Sequence, residues 1–494
     1  MRFTRIAICV FWLLALAGQG QGQIPSSFVN LNPLGRAQNG WRLFSVTGSF
    51  GYSTLALPAN SGVIGSPSVP SFALGQLQSD YDTTASAAFG YNYSAPKSTI
   101  SLFYSPSYVR RYRFSKIKAF NQTMGINLHR DFAPKWSANL ALNGADQTLD
   151  QLLFSSAILS TATTPVGTLD DLQQGLGLGQ YSGDQLASLL TGSPAIATPS
   201  QSVIFGISVL SLAGSAGVSY RPTPRLSISV NGGVSQSQTR GSRGDVANQS
   251  NFVIPRAVAQ IITGTVSYAW SPRTSVGAQL GSSWMDSSFN RYLTHNVSGF
   301  LQRRLTPRLF AGLQAGVGFA DSLQKAGQTG AGPLNGAATS TGGVNLGYAA
   351  FEQSFTGAYT RSVSDNFGFA SQRSESISGS WQWARPGRPW GVGASVGQQR
   401  LLGGFIQDFR FWFASASFHR MLSSQLAINF SVGYVDRPPI TTASFTTNAI
   451  GISGYSTRVT LVWTPGGRFE NRPGGSPFPG SQQPGADRRA GDLR

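Results

Sequence analysis

Histidines and acids are the first residues to weigh for chemistry. His129 stands two positions before Asp131, His295 lies between Thr294 and Asn296, and His419 precedes Arg420. A metal site needs a second ligand at a defined spacing, and acid–base catalysis needs a partner within hydrogen-bond reach. No second His stands at such a spacing, and no Ser follows a His by two positions. His129 and Asp131 share a face of an extended chain, but Asp131 sits beside Pro134, where Asp commonly forms turns. The acids Asp80, Asp82, Asp146, Asp150, Asp286 and Asp321 fall mainly at loop ends. Gly175-Leu176-Gly177-Leu178-Gly179 and Gly391-Val392-Gly393 lack the strand-then-helix setting of a phosphate loop. The single cysteine, Cys9, lies in an N-terminal apolar run, so the mature chain is expected to have no thiol chemistry. No catalytic residue, cofactor or metal site is expected. An acid–His pair assembled across strands stays open, because only spatial register would reveal it.

The elements that would position any site come from a repeated unit. Ala133-Pro134-Lys135-Trp136, Thr223-Pro224-Arg225-Leu226, Ser271-Pro272-Arg273-Thr274 and Thr306-Pro307-Arg308-Leu309 are turns of one type. After each comes a run that alternates apolar and small polar residues. Leu226, Ile228, Val230, Gly232 and Val234 take one parity; Ser227, Ser229, Asn231, Gly233 and Ser235 take the other. Alternation of period two makes a strand with one oily and one polar face. Leu309 to Phe319 and Leu426 to Tyr434 repeat the pattern, as does Phe44, Val46, Gly48, Phe50, Tyr52.

Only 11% of the residues are charged, and there are 59 glycines. A soluble chain of this size usually carries about twice that charge. A wall with one face in hydrocarbon explains the shortage, since charge there is costly. Short turns are expected near 95–97, 131–135, 221–225, 271–273, 305–308, 363–366, 385–389 and 421–425. With an opening strand from Trp41 and a closing strand ending at Trp463, they predict an all-β, antiparallel, up-and-down transmembrane β-barrel of about 18 strands, with 16–20 open. Trp136, Tyr220, Trp270, Trp383, Trp390, Phe418 and Trp463 stand beside short turns, as an aromatic girdle would.

Arg2 and Arg5 precede the apolar run Ile6–Leu16, and Ala15-Leu16-Ala17 follows, which reads as a secretory signal peptide. The expected organisation is a signal peptide over 1–22, a short segment over 23–40, the barrel over 41–465 and a Gly/Pro/Arg-rich disordered tail over 466–494. Within the barrel, 149–200 is a long insert with two short helix signals, opening at Thr168 and Ser182. It could constrict the bore, cap it, or stay a surface loop.

The formal charge is +18. The cations gather at turns and loops rather than on a helix face or an aromatic platform, so nucleic acid is not the expected partner. Arg304, Arg308, Arg385 and Arg388 mark one rim, and Arg110, Arg111, Arg113, Lys116 and Lys118 the other. Both are candidate contacts for anions or lipid headgroups. By parity Ser227, Ser229, Asn231, Gln314, Asn429, Ser431 and Arg458 are candidate bore-lining residues. Strong rows of opposed acids and bases are not legible within the strands.

Over about 41–465, with its signal peptide, alternating strands, short turns, aromatic girdle and terminal Trp463 strand, the chain resembles bacterial outer-membrane β-barrels of the porin-like class. The resemblance is architectural and carries no motif of a particular family. It implies residence in a Gram-negative outer membrane, delivery through the barrel-assembly machinery, and passive diffusion of small hydrophilic solutes with a mild anion preference. Homo-oligomer contacts would lie on the lipid face and look like lipid contacts, so oligomeric state stays open. The alternative is a structural or adhesive barrel that binds polysaccharide or a protein and is plugged by 149–200.

Overall fold

The computed structural model describes residues 40–56, 78–113, 118–148, 207–242, 256–287, 291–306, 308–323, 338–350, 352–365, 371–384, 388–402, 409–437 and 452–465. The signal-peptide region, the 149–200 insert with its two helix signals, and the tail from 466 lie outside them. Eighteen strands follow in order: β1 Gly40–Ala56, β2 Gln78–Ala95, β3 Ser98–Arg111, β4 Lys118–Ala133, β5 Trp136–Thr148, β6 Ile207–Thr223, β7 Leu226–Ser242, β8 Ala257–Ser271 and β9 Thr274–Ser287. The second half is β10 Arg291–Arg304, β11 Leu309–Leu323, β12 Ala338–Ala350, β13 Gln353–Asp365, β14 Ser371–Ala384, β15 Trp390–Leu402, β16 Phe409–Met421, β17 Leu426–Arg437 and β18 Ile452–Trp463.

Each strand pairs antiparallel with its sequence neighbour, and β1 also pairs with β18, from Val46↔Trp463 to Ser53↔Ser456. The sheet therefore closes without an edge, which removes the unpaired backbone that neither lipid nor a soluble fold tolerates. Carried once round the wall, the registers displace the starting strand by about 22 residues, which sets a tilt of about 40° and a backbone diameter of about 36 Å. Among the described residues, every substantial strand contact is with an adjacent or next-but-one strand, so no strand packs across the bore.

The parity reading holds. Val230, Val234, Ile262, Leu280, Val297, Leu313, Val396 and Val459 are exposed on the outside. Apolar side chains do not cover a convex outer surface this fully unless hydrocarbon is their solvent. The core of this molecule is its wall.

Two details of the strand reading change. The turn expected near 363–366 is instead part of β13 and the loop after it. The tight connection falls at 351–352, with Ala350 paired to Gln353. Ser362, Ser364 and Asp365 carry turn-forming chemistry, whereas Phe351-Glu352 has none of the usual turn residues, so local sequence pointed to the wrong end. In β1 a bulge between Leu43 and Ser45 shifts the register. Trp41 and Leu43 therefore share the outer face with Val46, and Phe44 is the extra residue rather than the start of the even-numbered run.

Candidate functional site

The candidate site is the inner face of the wall. Its strands present Ser, Thr, Asn, Gln and Gly because the alternate positions already hold the lipid-facing residues. These polar groups bind one another across strands: Ser101 Oγ donates to Asn92 Oδ1 at 2.9 Å, Gln314 Nε2 to Ser298 Oγ at 2.7 Å, and Thr341 Oγ1 to Asn296 Oδ1 at 3.0 Å. Hydroxyl pairs Thr356–Ser380 at 2.6 Å and Ser395–Ser415 at 2.6 Å continue the ladder. Such cross-strand pairs stabilise a sheet while keeping its face wettable.

Several of the larger groups on the inner face lie over a glycine on the paired strand. Phe103 covers Gly125, Phe300 covers Gly277, Phe413 covers Gly397, and His419 covers Gly391. Asn345 and Asn231 do the same over Gly312 and Gly217. A Cβ at any of these glycines would occupy the space of the covering group, so the glycines let planar side chains lie flat against the wall. Gly397→Val is accordingly expected to cost about 1–3 kcal/mol by lifting the Phe413 ring, read as a lower denaturant midpoint of the folded barrel.

Ser227, Ser229, Asn231, Gln314, Asn429, Ser431 and Arg458 all take the parity opposite to the exposed apolar residues. Arg458 pairs with Ser431 on one side and Gly51 on the other. Its Nη2 lies 3.0 Å from Asp82 Oδ2, and its Nη1 donates to Ser49 Oγ at 3.3 Å. Gly51 stands between the two charged residues, and a side chain there would collide with the Asp82 carboxylate. Arg111, expected on the rim, is instead buried on this inner side, directly opposite Asp82 and 3.5 Å from Asp80 Oδ2. Asp80 Oδ1 also accepts the backbone N–H groups of Tyr81 and Arg113, each at 2.8 Å.

A cluster of opposed acids and bases therefore exists after all, across β18, β1, β2 and β3. Sequence reading missed it because Asp80 and Asp82 stand near a strand end and look like loop residues. Arg458 reaches Asp82 only through the closure of β1 against β18, whereas Arg111 is set opposite by the β2–β3 register. The strand parity of Asp82 against Arg111 was the one available signal.

The other rim candidates are distributed differently. Arg110 is on the outer parity, with its guanidinium 5.7 Å from the Tyr112 ring centre. Arg113 is exposed and reaches the Ser79 carbonyl. Arg304 shares the inner parity and pairs with Phe310, while Arg308 and Arg388 are exposed at their turns. Lys116 and Arg385 lie outside the described residues, and Lys118 is described only as the first residue of β4.

Exposed cations also stand in the short turns at Lys97, Lys135, Arg225 and Arg273. The carbonyls of these four accept the N–H groups of Asp131, Arg221, Ala269 and Arg304 in turn, each at 2.8 Å. The repeated turn thus holds one cation per hairpin at the same height. His129 Nε2 lies 3.4 Å from Asp131 Oδ1 on the inner face at this end. His295 takes the outer parity opposite Phe319 and is exposed. Among the described residues no group of three or more potential metal ligands assembles.

The architecture is a closed, antiparallel 18-stranded β-barrel. No family model matches the chain, and no curated protein does. Solved structures align with the chain only at low scores. The outer membrane protein opdK of Pseudomonas aeruginosa is 10% identical over 86% of this chain and 98% of its own, with a TM-score of 0.42. The siderophore receptor PirA of Acinetobacter baumannii is 6% identical over 87% and 81%, with a TM-score of 0.41. The monoaromatic hydrocarbon channel CymD is 12% identical over 90% and 94%, with a TM-score of 0.29. Identities and scores of this order carry no functional assignment.

Proposed function

We propose that this barrel is an outer-membrane channel through which small hydrophilic solutes diffuse passively, with a mild preference for anions. One observation carries the reading: a closed wall with an oily exterior encloses a polar inner face about 36 Å across between backbones, too wide for wall side chains to bridge. Water fills a bore of that width and polarity, and solutes follow. The exposed turn cations and the formal charge of +18 support the anion preference by raising the local concentration of anions at the mouth.

Reconstitution into planar bilayers under a salt gradient tests the proposal. Discrete conductance steps with a reversal potential on the anion side are expected. No conductance, or a cation-selective reversal potential, overturns it. Removal of 149–200 is expected to leave conductance unchanged. A sharp rise would instead favour a barrel closed by that insert.

A further inference from the structure

The stagger of the strands decides what stands beside each exposed turn cation. The carbonyls of Lys97, Lys135, Arg225 and Arg273 accept N–H groups from Asp131, Arg221, Ala269 and Arg304 on the next hairpin. The residue before each of those donors takes the outer parity, next to the turn cation: Arg130, Tyr220, Tyr268 and Arg303. Lys135 and Arg225 therefore stand beside a tyrosine. Lys97 stands beside Arg130, but Asp131 adjoins both. Of these four turns, only the one at Arg273 brings a second outward cation, Arg303, without an acid. Among the described residues at this end of the barrel, the acids are Asp131, near the β4–β5 turn, and Glu352, in the β12–β13 turn.

Arg273 and Arg303 are both exposed, and neither side chain has a partner among the described residues. Thr274, the residue after Arg273, is the Cα partner of Arg303, so both guanidiniums rise from one corner of β9 and β10. Arg304 takes the inner parity and is not part of this corner. The wall above the corner is oily. Leu301, the next outward residue on β10, is 40% exposed, its partner Val276 shares the face, and the exposed pair Val297 and Leu280 stands higher on the same two strands. Trp270, three residues before Arg273, is 70% exposed. A ring at that height marks the boundary between hydrocarbon and water, and cations one step beyond it stand at the level of lipid phosphates.

We infer that Arg273 and Arg303 together hold the phosphate of an anionic lipid in the leaflet on the short-turn side. A phosphate offers several acceptor oxygens to two planar guanidinium forks and offsets the repulsion between them. A free anion would use the two cations alone. A lipid uses them with its headgroup and covers the Leu301 and Val276 surface with its chains, so the lipid fits more of the corner. The inference rests on the membrane setting proposed above, and specifies which lipid chemistry that setting supplies.

The test is native mass spectrometry of the full chain in detergent, titrated with phosphatidylglycerol or phosphatidylcholine, which resolves the first lipid bound. The wild type is expected to bind phosphatidylglycerol more tightly. Arg273→Gln with Arg303→Gln is expected to weaken that first binding step about five-fold for each guanidinium removed. Lys135→Gln with Arg225→Gln takes the same charge from the same rim, but from two turns that each pair a cation with a tyrosine, and is expected to leave the step largely in place. Should the double replacement at the corner fail to fold, Arg303→Gln alone reads the same quantity. No preference in the wild type, an unchanged first step in the corner variant, or equal loss in the Lys135 and Arg225 variant overturns the inference. Displacement of the bound lipid by inorganic phosphate at matched concentration would reassign the corner to free anions and overturn the lipid assignment. A chain that never enters vesicles refutes the membrane channel and this site with it; one that inserts and conducts without lipid preference refutes only the site.

Discussion

Val230→Arg is expected to lower the stability of the vesicle-embedded barrel by about 2–4 kcal/mol, while Asn231→Arg, one residue along, costs about 1 kcal/mol or less. Val230 is 50% exposed on the outer face, five residues into β7 and near mid-height of the wall. A guanidinium there must be taken from water into hydrocarbon, and the strand around it is fixed by pairs on both sides. At Asn231 the same group extends into the bore, where the loss is limited to the flat cover over Gly217. Urea unfolding in lipid vesicles measures both. Equal costs, or a larger cost at Asn231, would mean that the oily parity is not the one in contact with lipid.

Asp80→Ala is expected to cost about 3–5 kcal/mol, the largest effect of any single inner-wall substitution proposed for this protein. The Asp80 side chain is fully buried beside Arg111, itself 8% exposed, and it accepts two backbone N–H groups besides. Removing the carboxylate takes one counter-charge away from a buried guanidinium and releases the backbone N–H groups of Tyr81 and Arg113. Asp80→Asn keeps an acceptor for Tyr81 and Arg113, so its loss should be smaller. A midpoint for Asp80→Ala within error of wild type would show that the pair is not what anchors this corner. The same corner bears on conduction. In Asp82→Asn the Arg458 guanidinium, 41% exposed, loses its carboxylate partner, and the reversal potential is expected to move further to the anion side.

Strands were legible because their signal is local. Alternation with period two marks a strand and its oily face within a few residues, and the Pro-Arg or Pro-Lys turns punctuate it. Ser227, Ser229 and Asn231 could therefore be put on one face without any partner in view. The one misplaced turn, at 351–352 rather than 363–366, lacks turn chemistry altogether. There the pairing of Tyr348 with Phe355 and of the strands beyond holds the connection tight.

Sequence by itself determined that this chain forms long amphipathic strands with an apolar and a small polar face, in a number that can close on itself. Only the tertiary structure decided which charges meet. Arg458 and Asp82 are 376 positions apart, and Arg361, Glu375, Arg400 and Arg410 fall in line only once four registers are set. Side-chain direction along a strand is a property of neighbouring peptide units. Alignment between strands is set by the stagger of the whole cylinder, and no stretch of chain encodes that alone.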